Sequence, residues 1–150
     1  GKGNSDDVVY RYSQHGLTNV DVVDFIEDMG EAYQWADIVI CRAGAITVTE
    51  ISLAGIAAIF VPLPHAVDDH QTANAMSLVH RRAGYLVAQK HMASELPVLL
   101  KRLSADPKQI QTIRLNALDC AIVDATERVS ASCAEVANVK ARKVSSGVVV

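Results

Sequence analysis

The sequence predicts an α/β domain, a parallel sheet flanked by helices, and three observations carry that prediction. Short apolar runs rich in β-branched residues, such as Ile38-Val39-Ile40-Cys41 and Ala57-Ala58-Ile59-Phe60-Val61, alternate with segments of helical periodicity. The turns between them are short and carry Gly or Pro. Half of the 150 residues are hydrophobic and only 5% are aromatic, the mix expected of helices packed closely on a sheet.

Taken in order, Val8 to Gln14 fits a helix, with Asp6 or Asp7 near its cap and Gly16 as its stop. Gly1-Lys2-Gly3 lacks the rest of the GxxxxGK[ST] phosphate loop and carries no assignment. Val20 to Ile26 reads as a first strand. Glu27 and Asp28 then open a short helix through Trp35, their charges suiting the helix dipole. The second strand, Ile38 to Cys41, runs into the small-residue turn Arg42-Ala43-Gly44. From Ala45 a helix begins, with Val48, Ile51 and Gly55 at spacings of three and four. Ala57 to Val61 is the third strand, closed by Pro62, which cannot donate to a ladder. Leu63 to Asp69 is a loop, and His70 to Arg82 a helix ended by Gly84. Tyr85 to Ala88 is a fourth strand. Helices follow from Ser94 to Leu103, from Asp106-Pro107 onward, and from about Ala125 to Ala141, with 143–150 as a flexible tail. A doubly wound nucleotide domain carries about five or six strands. The chain therefore reads as one that starts midway through such a domain, leaving a sheet edge without neighbours.

Composition narrows the function classes. A net charge of −3 and a pI near 5.9 give no basic footprint for nucleic acid. The apolar runs are too short to cross a bilayer, and the polar start lacks a secretory h-region. The 3 cysteines, Cys41, Cys120 and Cys133, lack metal-ligand spacing and fit buried thiols of a reducing compartment. The histidines show no HExxH spacing. No metal or cofactor is expected, and the default is a cytosolic soluble domain.

Two constellations carry chemistry. The stretch from Asp37 to Gly55 turns a strand tightly into a helix, which aims unpaired backbone N–H groups at the positive end of the helix dipole above the sheet edge. That suits an anion, most often a phosphate. Glu50, three residues after Thr47 and four after Ile46, shares their side of the helix and could accept from a sugar diol. A buried strand and a packing helix, with Glu50 merely solvated, fit the same residues. The second constellation is His70, Gln71 and Asn74, at i, i+1 and i+4 in a first helical turn. Their amides suit sugar hydroxyls, offering both donor and acceptor. For this helix taken alone, a polar solvent face capped by Asp68 or Asp69 is the simpler reading. Ligands of open parallel sheets sit beyond the carboxyl ends of the strands, where these groups and Phe25 and Ile26 all fall.

Ordered motifs then add a resemblance. Asp24-Phe25-Ile26-Glu27-Asp28-Met29, Tyr33-Gln34-Trp35-Ala36-Asp37 and the run from Cys41 to Glu50 resemble the MurG-type glycosyltransferases. So do Phe60-Val61-Pro62, the run from Asp69 to Ala75, and the run from Asp124 to Arg128. The likeness runs in order from Gly1 to about Arg142. It implies a Rossmann-like sheet that is part of the C-terminal, nucleotide-sugar-binding domain of a two-domain GT-B enzyme, with residues 1–142 forming a partial copy. It implies transfer of N-acetylglucosamine from UDP-N-acetylglucosamine to lipid I, giving lipid II for peptidoglycan, at the cytoplasmic face of the inner membrane.

The resemblance also implies roles. Phe25, Ile26 and Met29 border the uracil, Ile26 through its backbone. Glu50 takes the ribose hydroxyls, and the amides of Ala45, Ile46 and Thr47, in the turn with Arg42 and Gly44, face the diphosphate or the sugar. Gln71 and Asn74, with His70 where many members carry glutamine, line the N-acetylglucosamine. Ala43 stands where serine is common, and Ala57 where proline is usual. The acceptor domain and its proposed catalytic base have no counterpart here, so no catalytic residue is assigned and the isolated chain is expected to be inactive. Two other readings remain: a non-catalytic UDP-sugar-binding module, and a related GT-B enzyme such as a UDP-sugar epimerase.

Overall fold

The computed structural model describes residues 3–64 and 69–136. Three parallel strands form one sheet in the order β1-β2-β3, with β1 at Ile38–Cys41, β2 at Ala57–Phe60 and β3 at Tyr85–Leu86. The register pairs Ile38 with Ala57 and Cys41 with Phe60, then Ile59 with Tyr85. Seven helices are described: α1 (Ser5–Gln14), α2 (Met29–Trp35), α3 (Ala45–Ala54), α4 (His70–Val79), α5 (Met92–Ser104), α6 (Pro107–Asp119) and α7 (Ala125–Val136).

β2 is central and buried along its whole length, and its alternation splits the core in two. Ala58 and Phe60 face one layer, where they join Tyr33, Ala43, Val48, Ile51, Ala75 and Leu78 from α2, the first turn, α3 and α4. Ala57 and Ile59 face the other, with Leu103 of α5 and Ile113 of α6. The sheet is thus covered on both sides, as its strand-and-helix alternation predicts. By contrast, α1 and α7 bury no residue.

The expected strand from Val20 to Ile26 is not formed; this segment is irregular up to the start of α2. Val20, Val23, Phe25 and Ile26 are exposed by 38%, 62%, 71% and 44%. A strand exists only through a partner ladder, and among the described residues β1 pairs with β2 alone. Among the described residues the sheet therefore has three strands where four were expected.

Helix boundaries moved for local reasons. Asp28 is not inside α2 but caps it, its Oδ1 accepting from the Glu31 N–H at 2.9 Å. Asp106 does the same for α6, accepting from Gln109 N–H at 3.1 Å, with Pro107 in the first turn as predicted. α4 ends three residues before Arg82, because the chain unwinds there and Arg82 itself takes a left-handed φ of 56°. Gly84 has a different use: a Cβ at that position would come within 3.0 Å of the Ala58 carbonyl and the Phe60 ring. α5 starts two residues before Ser94, fed by a short 3-10 turn at Gln89–His91, so Pro97 lies within the helix. Gly1, Lys2, the loop at 65–68, the extension of α7 to Ala141 and the tail at 143–150 lie outside the described residues.

Candidate functional site

The carboxyl end of β1 delivers the chain to Arg42-Ala43-Gly44, and α3 starts at once. Gly44 is the cap residue, in an extended conformation, and no side chain caps the helix. The first intrahelical bond is Val48 N–H to the Gly44 carbonyl at 3.0 Å. The N–H groups of Ala45, Ile46 and Thr47 precede it, so no carbonyl of the helix can receive them. They point out at the positive end of the α3 dipole. Ala45 and Ile46 are exposed and Thr47 is half-buried.

Glu50 lies one turn further along the same helix, half-buried. Its Oε2 accepts from the Tyr33 hydroxyl at 3.0 Å. Tyr33, on α2, is only 8% exposed. Burial, followed by the hydrogen bond and charge of Glu50, pushes its phenol up to about 12. Sequence reasoning gave Tyr33 no role, because its partner is 17 residues away and no periodicity links the two. Under the turn, burial alone pushes the Cys41 thiol up to about 11.

The other candidates act as staples as well as surface. Arg42 reaches from the end of β1 to the end of β2, where its Nη1 donates to the Val61 carbonyl at 3.0 Å and to the Pro62 carbonyl at 3.2 Å. Asn74 Nδ2 donates to the Ala43 carbonyl at 3.1 Å, tying α4 to the turn. Gln71 Oε1 accepts from the Leu63 N–H at 2.9 Å, tying α4 to the chain leaving β2. His70 is exposed. Asp69 takes a left-handed φ of 51° and its side chain does not cap α4; Asp68, the other candidate cap, lies outside the described residues. Phe25, Ile26 and Met29 stand exposed just ahead of and at the start of α2, near Tyr33 in sequence but without a strand beneath them.

The structure thus brings together the α3 amides, Arg42, Gln71 and Asn74 around the carboxyl ends of β1 and β2, with Glu50 one turn along α3 and bonded to Tyr33. The glycosyltransferase family 28 C-terminal domain profile matches residues 1–129. The chain belongs to this family. A Tolumonas auensis protein named UDP-N-acetylglucosamine–N-acetylmuramyl-(pentapeptide) pyrophosphoryl-undecaprenol N-acetylglucosamine transferase is 53% identical over 134 residues. That match covers 89% of this chain and 38% of the relative. A Pseudoalteromonas atlantica protein of the same name is 49% identical over 136 residues, covering 89% of this chain and 36% of its own length. The crystal structure of Acinetobacter baumannii MurG superposes with a TM-score of 0.82 at 38% identity, covering 90% of this chain and 41% of that one.

The family 28 assignment agrees with the MurG-type resemblance and with the GT-B donor-domain fold. The chain spans 36–38% of the length of these two curated relatives. Among the described residues, no helix is long and apolar enough to cross a membrane.

Proposed function

We propose that this chain carries the donor-binding half of an enzyme that transfers N-acetylglucosamine from its UDP conjugate to lipid I, giving lipid II at the cytoplasmic face of the bacterial inner membrane. The observation that carries this reading is the placement on one helix of three amides with no helical carbonyl to bond and, one turn on, a carboxylate held by Tyr33. A nucleoside diphosphate sugar needs both features: donors for the diphosphate and an acceptor for the ribose diol. The names of the relatives, all transferases of this sugar, support the same reading.

In this reading Glu50 takes the ribose hydroxyls, while Phe25, Ile26 and Met29 offer exposed apolar surface to the uracil. The amides of Ala45, Ile46 and Thr47, beyond the small Gly44 cap, face the diphosphate. Arg42 adds positive charge beside them. The staples decide what the sugar meets. With Oε1 of Gln71 bonded to Leu63, its Nε2 is left to donate; with Nδ2 of Asn74 bonded to Ala43, its Oδ1 is left to accept. His70 stands next to them. The transferred sugar would be attacked at its anomeric carbon by the C4 hydroxyl of the muramyl acceptor, with inversion. The UDP leaving group would gain charge against donors already in place, which is electrostatic stabilisation without reorganisation. The chain's own residues bind and orient; the base and the acceptor site belong to the rest of the enzyme.

Isothermal titration calorimetry with UDP-N-acetylglucosamine tests the site. Binding is expected, with Glu50→Ala weakening it by roughly an order of magnitude, the scale of a lost charge-assisted hydrogen bond pair. Equal affinity of Glu50→Ala and the parent chain would sink the reading. Lipid II formation by residues 1–150 alone, supplied with lipid I, would sink the division of labour.

A further inference from the structure

We infer that Tyr33 is a positioning residue of the donor site, one that fixes the rotamer of Glu50 so that a single carboxylate oxygen is presented to the ribose. The inference rests on the reading of Glu50 as the ribose acceptor. A glutamate on a helix has three side-chain torsions, and an exposed one samples many rotamers. Glu50 is half-buried, and its Oε2 is engaged by the Tyr33 hydroxyl at 3.0 Å. Oε1 makes no hydrogen bond to any described residue, which leaves its lone pairs for two vicinal hydroxyls.

Tyr33 is suited to this task and to little else. Its ring is packed in the core layer with Val48 and Ile51, so the hydroxyl is delivered to one place by a rigid body. At 8% exposure it offers almost no surface to a ligand of its own. A phenol is protonated at neutral pH, and the raised pKa of this one extends its donor state toward Glu50 to higher pH. Among the described residues, the hydroxyl makes the side-chain hydrogen bond that joins α2, the helix that follows Phe25 and Ile26, to α3. Uracil contacts ahead of α2 and ribose contacts on α3 are thereby held in one spatial relation, as a conformationally fixed site requires.

The test compares UDP with 2′,3′-dideoxy-UDP, which lacks the diol, in calorimetric titrations of the parent chain, Tyr33→Phe, Glu50→Gln and the double variant. Tyr33→Phe keeps the packed ring. It is expected to weaken UDP binding on the order of fivefold while leaving the dideoxy analogue unchanged. The loss is expected to vanish in the Glu50→Gln background, since Tyr33 acts through Glu50. A Tyr33→Phe chain that loses affinity for both nucleotides equally, or for neither, overturns the positioning role even where Glu50→Gln still discriminates against UDP. If Glu50→Gln itself leaves the UDP to dideoxy-UDP ratio untouched, the ribose reading of Glu50 falls and this inference falls with it. A lowered melting temperature in Tyr33→Phe with an unchanged ratio marks a purely structural hydroxyl and also overturns it.

Discussion

Asn74 reaches back 31 residues to donate its Nδ2 hydrogen to the carbonyl of Ala43 at 3.1 Å. Ala43 is wholly buried between β1 and α3, so that carbonyl has little access to water. The bond fixes the start of α4 against the turn that begins α3, and it sets which atom of the amide faces outward. Truncation, Asn74→Ala, leaves the carbonyl unpaired and is expected to cost roughly 1–2 kcal/mol of stability, read as a lower urea midpoint. It also removes the outward Oδ1, so affinity for UDP-N-acetylglucosamine should fall more than affinity for UDP. A loss confined to stability, with both affinities unchanged, would show that Asn74 is only a staple.

A second prediction concerns the end of α3. Gly55 closes the helix at a left-handed φ of 59°, with its N–H bonded to the Ser52 carbonyl and the Ile56 N–H to that of Ile51. The Gly55 carbonyl is held in turn by Arg114 Nε of α6 at 3.1 Å. A Cβ here would stand 2.5 Å from Cγ of Leu118, also on α6. Gly55→Ala therefore combines a disfavoured backbone with a clash that Leu118 must relieve by moving toward solvent. The expected cost is about 1–3 kcal/mol, from the left-handed conformation and overpacking together. Pairing it with Leu118→Ala should relieve the clash and leave the backbone part, which thermal unfolding of the single and double variants can separate.

What the sequence disclosed follows from how local each feature is. β1, the Arg42–Gly44 turn and the start of α3 were legible because an apolar β-branched run, a glycine and a helical spacing all lie within a few residues. The strand expected at Val20 to Ile26 failed for the complementary reason. Its residues have strand composition, but a strand is made by its neighbour, and composition says nothing about whether one is present. The staples were equally illegible. The amides of Gln71 and Asn74 suit a ligand by residue type and Arg42 lies in the site turn, yet each also bonds backbone up to 31 residues away. Tyr33 was missed altogether, since only the fold sets α2 beside Glu50.

The high phenol and thiol pKa values make alkaline stability a third test. An unfolded tyrosine titrates at 10.0 and Tyr33 in the fold at about 12; an unfolded cysteine titrates at 9.0 and Cys41 at about 11. In each window the unfolded chain releases a proton that the folded chain retains, so stability falls as pH rises. These two groups contribute their full stability below pH 9. Losses run from 9 to 11 for Cys41 and from 10 to 12 for Tyr33. Urea midpoints measured from pH 7 upward should therefore decline in two overlapping steps. Tyr33→Phe should remove the upper step and Cys41→Ala the lower.

Thiol chemistry separates the same cysteine from its counterparts. Cys133 is exposed on α7, whereas Cys41 is partly buried on β1 and its thiol is pushed up to about 11 by desolvation. The thiolate is the nucleophile, so at pH 8 Cys41 suffers twice: little of it is ionised, and a reagent must reach it beneath the turn. A chromogenic disulfide should label the exposed Cys133 rapidly and the partly buried Cys41 far more slowly. Peptide mapping after brief labelling assigns the sites. Opening of the turn should expose Cys41, so Asn74→Ala is expected to speed its labelling while leaving Cys133 unchanged. Equal labelling rates at Cys41 and Cys133 in the parent chain would mean that β1 and the turn above it are open to solvent, and the amide cradle at the start of α3 would lose its fixed geometry.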